Sequence, residues 1–325
     1  DLAPMSAFFL DTNVEYLGDY LGKRGWLKAD EGVRSVGLAG QGNMNYIVRV
    51  TTDKRTFILK QSRPWVEKYS DIAAPFDRAL VEAEFYKLVS GTSAAEFMPK
   101  LHWVDEESRI LCLEDLGALG DFTNVYDGFS VQVGEQEQLS RFLSILHSQR
   151  RALPNREMRA LNHYHIFVFP FQAENNLDLD RFTLGLQQVG DRVSSDRALR
   201  TRVAELGQVY LSEGSFLVHG DYFPGSWLRG ASGVKVIDPE FGFSGVREFD
   251  LGVMLAHLSI CGYANALASL GASYAQWKDL EQRLVMGFAG VEVLRRLLGV
   301  AQLPMDFSLR RKQLLIEEAI PMVLA

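Results

Sequence analysis

Cysteine is nearly absent from this chain: two in 325 residues, Cys112 in RILCLEDL and Cys261 in LSICGYA, both within apolar runs. Two such thiols make no disulfide framework, and each is expected to be a reduced core residue. Positive charge is also in short supply, with 34 Lys and Arg against 41 Asp and Glu, a formal balance of −7. That balance argues against nucleic acid or an anionic membrane as the main partner, so any anion site must be a local cluster of cations. No apolar run reaches transmembrane length, and the opening DLAPMSAFFLD lacks the basic flank and long apolar core of a signal peptide. It also lacks an initiator Met, so the start reads as trimmed, and a cytoplasmic protein is expected. The histidines show no metal-ligand spacing, and His163 and His165 read as core or loop residues, which argues against a simple metal hydrolase. No internal repeat or low-complexity segment stands out.

What is present is ordinary in bulk, 47% hydrophobic and 23% charged, at a length that suits one large domain or two lobes. From Val33 to about Leu116 the chain reads as strands with one helix. SVGLAGQGNMNYIVRV is a glycine-bearing turn between apolar segments, and RTFILKQS is a short strand. PFDRALVEAEFYKLVSG then reads as a helix with Leu80, Val81, Phe85, Leu88 and Val89 on its apolar side. LHWVDEESRILCLEDL follows as two strands joined by a polar turn. From about Ser130 the pattern turns helical, interrupted by HGDYFPGSWLRGASGVKVIDPEF, which reads as two short strands carrying a His, two Asp and a Glu. The expected layout is a nucleotide-binding lobe over 1–116 (a helical start to about 32, then sheet) and a helical catalytic lobe over 117–325. A cleft between two such lobes is a natural place for a ligand.

Gly37, Gly40 and Gly42 let backbone N–H groups approach a phosphate closely, although a plain hairpin turn would need glycines as well. Lys60 could snorkel from an edge strand or point inward to grip phosphate oxygens. An inward Lys60 needs a carboxylate, for which Glu82 is the best placed and Glu84 lies on another helix face. Glycine turn, strand lysine and helix glutamate, in that order, match the arrangement of a protein-kinase nucleotide lobe. That scheme makes LCLEDLG a hinge strand, with backbone groups near Glu114 to Leu116 placed for an adenine. It makes HGD at 219–221 the catalytic loop, with Ser226 where kinases carry a metal-holding Asn. Asp238 and Glu240 then occupy the position of the metal-binding Asp, and such oxygen ligands suit Mg²⁺ bridging nucleotide phosphates.

These motifs resemble those of the kinase-like small-molecule phosphotransferases, the superfamily of aminoglycoside phosphotransferases and choline kinases. Within it, the chain is most similar to the 5-methylthioribose kinase family. The likeness rests on GNMN at 42–45, Lys60-Gln61, LEDL at 113–116, HGDYFPGS at 219–226, DPEF at 238–241 and the Arg-Arg of VLRRLLGVAQ at 293–302. It implies an α+β, two-lobed protein-kinase-like fold, with a small antiparallel β N-lobe bearing one helix and a larger, mostly α C-lobe. It implies ATP and Mg²⁺ as cofactors, and a sugar-like acceptor with a hydroxyl, methylthioribose being the specific candidate. No nucleic acid or membrane is expected as a partner, and a homodimer is a candidate assembly.

Carried over residue by residue, Asp221 would accept or orient the acceptor's proton. Asp238 and Glu240 would bind Mg²⁺. Gly40, Gly42, Asn43, Lys60, Glu82, Glu114, Leu116 and Ser226 would serve the nucleotide. Arg295 and Arg296 would stabilise the phosphoryl group or the sugar; without the family, that pair reads as a helix-surface feature. Asp250 would brace the catalytic loop, and His219 would bond to backbone. The chain departs from the family in a shorter segment between the third strand and the next helix, with Trp65 as its one tryptophan. It also departs at Tyr222-Phe223, expected beside the acceptor. An aminoglycoside or choline-type phosphotransferase is the alternative within the fold, and a catalytically silent nucleotide-binding protein the alternative outside it.

Overall fold

The structure, a computed structural model, describes residues 7–40 and 44–325. The chain divides between Leu119 and Gly120 into two units, three residues beyond the boundary expected from the sequence.

In the first unit, β-branched and aromatic residues on alternate positions make an antiparallel five-stranded sheet. Its strands are β1 (Val33–Leu38), β2 (Tyr46–Thr52), β3 (Thr56–Gln61), β6 (Leu101–Asp105) and β7 (Ile110–Glu114), in the order β1-β2-β3-β7-β6. The first helix, α1 (Val14–Lys23), is capped by the Asn13 side chain and buries Leu17, Tyr20 and Leu21. These residues join Val48, Val50, Phe57, Leu59, Ile110 and Cys112 in one apolar cluster. Because side chains alternate across a strand, Phe57, Leu59 and Gln61 share one face of β3 and Lys60 points to the other. Gln61 ties down the segment before α1: its amide donates to the Phe8 carbonyl at 2.6 Å and accepts from the Leu10 N–H at 2.9 Å.

The shorter segment after β3 contains a small hairpin of β4 (Trp65–Val66) and β5 (Tyr69–Ala73). It leads into α2 (Arg78–Val89). The buried side of α2 is not the apolar stripe expected from the sequence. It consists of Arg78, Ala79, Glu82, Ala83, Phe85, Tyr86 and Val89, so two ionised residues sit where apolar ones would ordinarily pack.

The second unit is mostly helical. It comprises α3 (Val133–Leu146), α4 (Arg156–His163), α5 (Leu186–Ser195), α6 (Arg197–Leu211), α7 (Glu248–Ile260), α8 (Ala266–Ser273), α9 (Gln282–Leu298) and α10 (Leu309–Leu324). Between α6 and α7 lie two antiparallel pairs, β8 (Phe216–Val218) with β11 (Phe243–Gly245) and β9 (Trp227–Gly230) with β10 (Gly233–Val236). Helix α9 is buried almost all round from Val285 to Leu298, as befits a helix at the centre of a core. Helix α7 approaches it closely at Gly252, where a Cβ would lie 2.6 Å from the Phe288 Cβ. A run of helical sequence after Phe249 breaks at Gly262, whose φ is +75°, which separates α7 from α8. Among the described residues, no helix is long and apolar enough to cross a membrane.

Candidate active site

In the first unit the Lys60 Nζ meets both oxygens of Glu82, at 2.9 and 2.7 Å, and both side chains are almost wholly buried. Lysine at this depth is costly without a partner, and Glu82 supplies the opposite charge. Glu84, the alternative, is exposed and pairs loosely with Lys87. Gly40, just after β1, has φ +72°, a conformation that strains residues with a Cβ. Gly42 and Asn43 lie outside the described residues.

The flanking Met44 and Asn45 are held by a residue that sequence reading passed over. The buried Arg78 guanidinium donates to the Asn45 Oδ1 and to the carbonyls of Met44, Arg63, Trp65 and Pro75. One side chain thus ties the end of the glycine turn and the β4–β5 region to the helix that carries Glu82.

The expected hinge follows β7. The Glu114 N–H donates to the Lys100 carbonyl at 2.8 Å, and its carboxylate accepts from the Lys100 N–H at 3.1 Å. Asp115 accepts the Arg49 guanidinium on both oxygens, at 2.8 and 3.0 Å. Burial works to raise the Asp115 carboxyl, but Arg49 and the Gly117 N–H outweigh it and hold it below its ordinary value. Arg49 also donates to the Gly117 carbonyl, so half-buried Leu116 lies between two anchored residues.

In the second unit, β8 runs into His219-Gly220-Asp221. Gly220 has φ +84°, and a Cβ there would lie 2.1 Å from the Phe241 carbonyl oxygen, so the HGD loop and the DPEF loop touch through a glycine. His219 donates from Nε2 to the Ile237 carbonyl at 2.9 Å, while its Nδ1 faces the Asp221 N–H at 3.4 Å. Asp250, in the first turn of α7, accepts from the His219 N–H at 2.7 Å and the Gly220 N–H at 3.0 Å, with His147 Nε2 at 3.1 Å. The Ser226 hydroxyl is buried and donates to the Asp221 carbonyl at 3.0 Å, which braces the loop from its other end.

Asp238 stands in the left-handed region at φ +61°, opening the short turn Pro239–Phe241 that carries Glu240. Strained backbone of this kind is concentrated at functional sites. Two asparagines hold both loops from α4 and the residue before it. Asn155 donates to the carbonyls of Glu240 (3.0 Å) and Gly242 (2.9 Å), and Asn162 donates to that of Gly220 (3.0 Å). Neither forms a short motif; each acts on backbone more than fifty residues away.

The paired arginines near the end of α9 are not surface residues. Arg295 and Arg296 are each 5% exposed, and both reach the Asp221 Oδ1, at 3.2 and 3.0 Å. They share a second carboxylate, the buried Glu292 one turn earlier. Burial works to raise the Glu292 carboxyl, yet the two arginines and His257 hold it well below the usual range. Asp221 itself keeps 21% of its side chain exposed. Phe223 lies under Arg296, its ring centre 4.3 Å from the guanidinium carbon. Tyr222 corrects an expectation: it is fully buried, donates to the Leu139 carbonyl at 3.0 Å and packs against Phe142 and Trp227, so it is core and not acceptor wall.

Asp238 and Glu240 offer hard oxygen donors suited to Mg²⁺, which is commonly held by one or two carboxylates together with substrate phosphates. Among the described residues, no group of three or more His, Cys, Asp or Glu side chains could hold a metal ion.

Residues 36–284 match the phosphotransferase enzyme family, APH. The methylthioribose kinase of Exiguobacterium sibiricum is 27% identical, with 84% of each chain covered. That of Bacillus cereus is 28% identical over 77% of this chain and 63% of its own length. Among solved structures, the choline kinase LicA from Streptococcus pneumoniae superposes with TM-score 0.55 at 13% identity, covering 95% of this chain and 98% of its own. A spectinomycin phosphotransferase superposes with TM-score 0.56 at 12% identity, covering 97% and 99%. These likenesses show a shared kinase-like fold, an antiparallel sheet unit followed by a helical one. With the family match spanning three quarters of the sequence, this chain belongs to the phosphotransferase enzyme family and is a small-molecule kinase acting on a hydroxyl.

Proposed function

We propose that the protein is an ATP- and Mg²⁺-dependent kinase of a sugar-like acceptor, with methylthioribose as the leading candidate. The observation that carries this reading is the placement of Arg295 and Arg296 on Asp221, beside a loop that bears DPEF. Named methylthioribose kinases are the relatives at 27 and 28% identity, and the same short motifs brought that family forward from the sequence.

In this reading, Asp221 orients the acceptor hydroxyl and takes up its proton as the oxygen attacks the γ-phosphorus. Bonds from Ser226 and Asn162 and the Asp250 brace keep its loop in place, so little reorganisation accompanies reaction. Arg295 and Arg296 lie within reach of the same carboxylate, where two cations can stabilise charge that develops on the transferring phosphoryl oxygens. Lys60, fixed by Glu82, holds nucleotide phosphates as a compact positive charge, and the hinge around Glu114 to Leu116 takes the adenine. Asp238 and Glu240 are the residues that would hold Mg²⁺, which when bound neutralises phosphate charge. Phe223, against Arg296, is the side chain at 222–223 left to shape acceptor choice, since Tyr222 is core.

A coupled ADP-release assay over methylthioribose, ribose, aminoglycosides and choline tests the assignment. Turnover with methylthioribose well above the others supports it. Strong turnover with a different acceptor would remove methylthioribose and leave the general activity standing.

A further inference from the structure

Glu292 is absent from every motif discussed above, yet it accepts more charged bonds than any of the residues proposed for catalysis. Its Oε1 accepts from His257 Nε2 at 2.9 Å, Arg295 Nη2 at 3.1 Å and Arg296 Nε at 2.8 Å, and its Oε2 accepts from Arg295 Nε at 2.6 Å. A carboxylate offers about four lone-pair sites, so Glu292 is saturated.

The directions of these bonds follow from the charges. An ionised Glu292 only accepts, so His257 must carry its proton on Nε2. The His257 imidazole is buried and neutral, which makes its Nδ1 an acceptor. The Tyr126 hydroxyl, 2.7 Å from that nitrogen, therefore donates to it. Donors thus run from Tyr126 through His257 to Glu292, from a short turn (Phe122–Asp127), α7 and α9 in turn. The pKa directions agree: burial pushes the Tyr126 hydroxyl well up and the His257 imidazole down.

We propose that Glu292, oriented through His257 and Tyr126, is the positioning residue that sets Arg295 and Arg296 against Asp221. It thereby fixes where they meet the transferring phosphoryl group. Each guanidinium donates its Nε–H to Glu292 and reaches Asp221 Oδ1 through Nη2, which in Arg295 also donates to Glu292. Two arginines against two carboxylates make the cluster neutral. Without Glu292, the arginines carry an excess positive charge in a buried setting and can fold their full forks onto Asp221, the carboxylate that must receive the acceptor's proton. Phe223 lies close to both the Arg296 guanidinium and His257, which limits sideways movement of the pair. The proposal rests on the phosphotransfer reading above.

The test compares His257→Gln, which keeps an N–H donor for Glu292, with His257→Leu, which does not, together with Glu292→Gln. Turnover per folded protein is measured with ATP and methylthioribose at saturation, alongside the KM for ATP and a crystal structure of each variant. His257→Gln should stay within about threefold of the parent. His257→Leu and Glu292→Gln should lose about tenfold or more in kcat, with the ATP KM within about threefold, since the lost contacts matter to the transition state and not to nucleotide binding. Their crystal structures should show the guanidiniums displaced from their places on Asp221. Parental kcat in folded His257→Leu, or unmoved guanidiniums in its structure, would overturn the proposal. If neither that variant nor Glu292→Gln folds, Tyr126→Phe decides, with a drop of about twofold or more supporting the proposal and unchanged kcat refuting it. Should the parent turn over no acceptor in the panel, the functional reading fails, and the crystal structures alone then decide whether Glu292 positions the arginines.

Discussion

In the first unit the Lys60 Nζ meets both oxygens of Glu82, and neither side chain is appreciably exposed. In the second unit two arginines are shared between two carboxylates of different standing. Glu292 is buried and saturated, while Asp221 is partly exposed and accepts both guanidiniums on a single oxygen. A lysine fixed by a buried carboxylate suits holding a ligand that arrives with its own charge. An open cluster, with one carboxylate fixed behind and another in front, suits a step in which charge and a proton move. In the proposed function the first is a group that binds and the second a set of groups that react.

The largest effect expected lies in the open cluster. Asp221→Ala should lower kcat by about 10² to 10⁴-fold, the usual range for loss of a positioned proton acceptor. Near-parental turnover would remove Asp221 from its role. In the first unit, Glu82→Ala removes the carboxylate that the buried Lys60 meets and should cost about 3–5 kcal/mol of stability by urea unfolding. The double variant Lys60→Met, Glu82→Leu should recover most of that loss while nucleotide affinity stays low. If the single and double variants were equally unstable, the pair would not be the electrostatic unit described.

Asp238→Asn should weaken Mg²⁺-dependent nucleotide binding by about ten- to a hundredfold, with little change in binding measured without the metal. An unchanged Mg²⁺ requirement would argue against that ligand assignment. Asn162→Ala leaves the Gly220 carbonyl without its donor and should cost about 1–3 kcal/mol of stability. Loss of activity with no loss of stability would point instead to a role beyond holding the loop.

The smallest effect is a pH slope. His257 is held below its ordinary value of 6.5, chiefly by burial, so below that pH the unfolded chain binds a proton that the folded one refuses. Stability therefore falls as the pH drops beneath about 6.5, by at most about 1.4 kcal/mol per unit for one such group. Glu292, also held low, contributes fully above its ordinary 4.5, and that contribution is lost as pH falls toward its folded value. His257→Gln should flatten the fall in Tm between pH 6.5 and 5. His163 and His165, lowered by burial too, would leave a residual slope.

The groups that were legible in the sequence are those whose meaning is local. HGD, DPEF and LEDL are short, and the Lys60–Glu82 pair could be guessed from a strand and the helix after it. Asn155, Asn162 and Arg78 were not legible, because each acts on backbone carbonyls, which leave no trace in residue identity. The Arg78 and Glu82 positions on α2 also misled the apolar-stripe reading, since burial there follows the ion pair and the carbonyl contacts. Glu292 had a usable signal: it lies four residues before Arg296 on one helix, a spacing that puts opposite charges together. The depth of α9 turned that ordinary surface pattern into a buried one. Tyr222 was misplaced because adjacent loop residues point in different directions, and only coordinates tell which one faces inward.

The division of labour between the two centres is tested most directly by measuring Mg²⁺-ATP affinity for Lys60→Met and Asp221→Ala side by side. Lys60→Met should bind ATP about ten- to a hundredfold more weakly, while Asp221→Ala should stay within about threefold of the parent. Equal losses in both variants, or a loss confined to Asp221→Ala, would contradict that division.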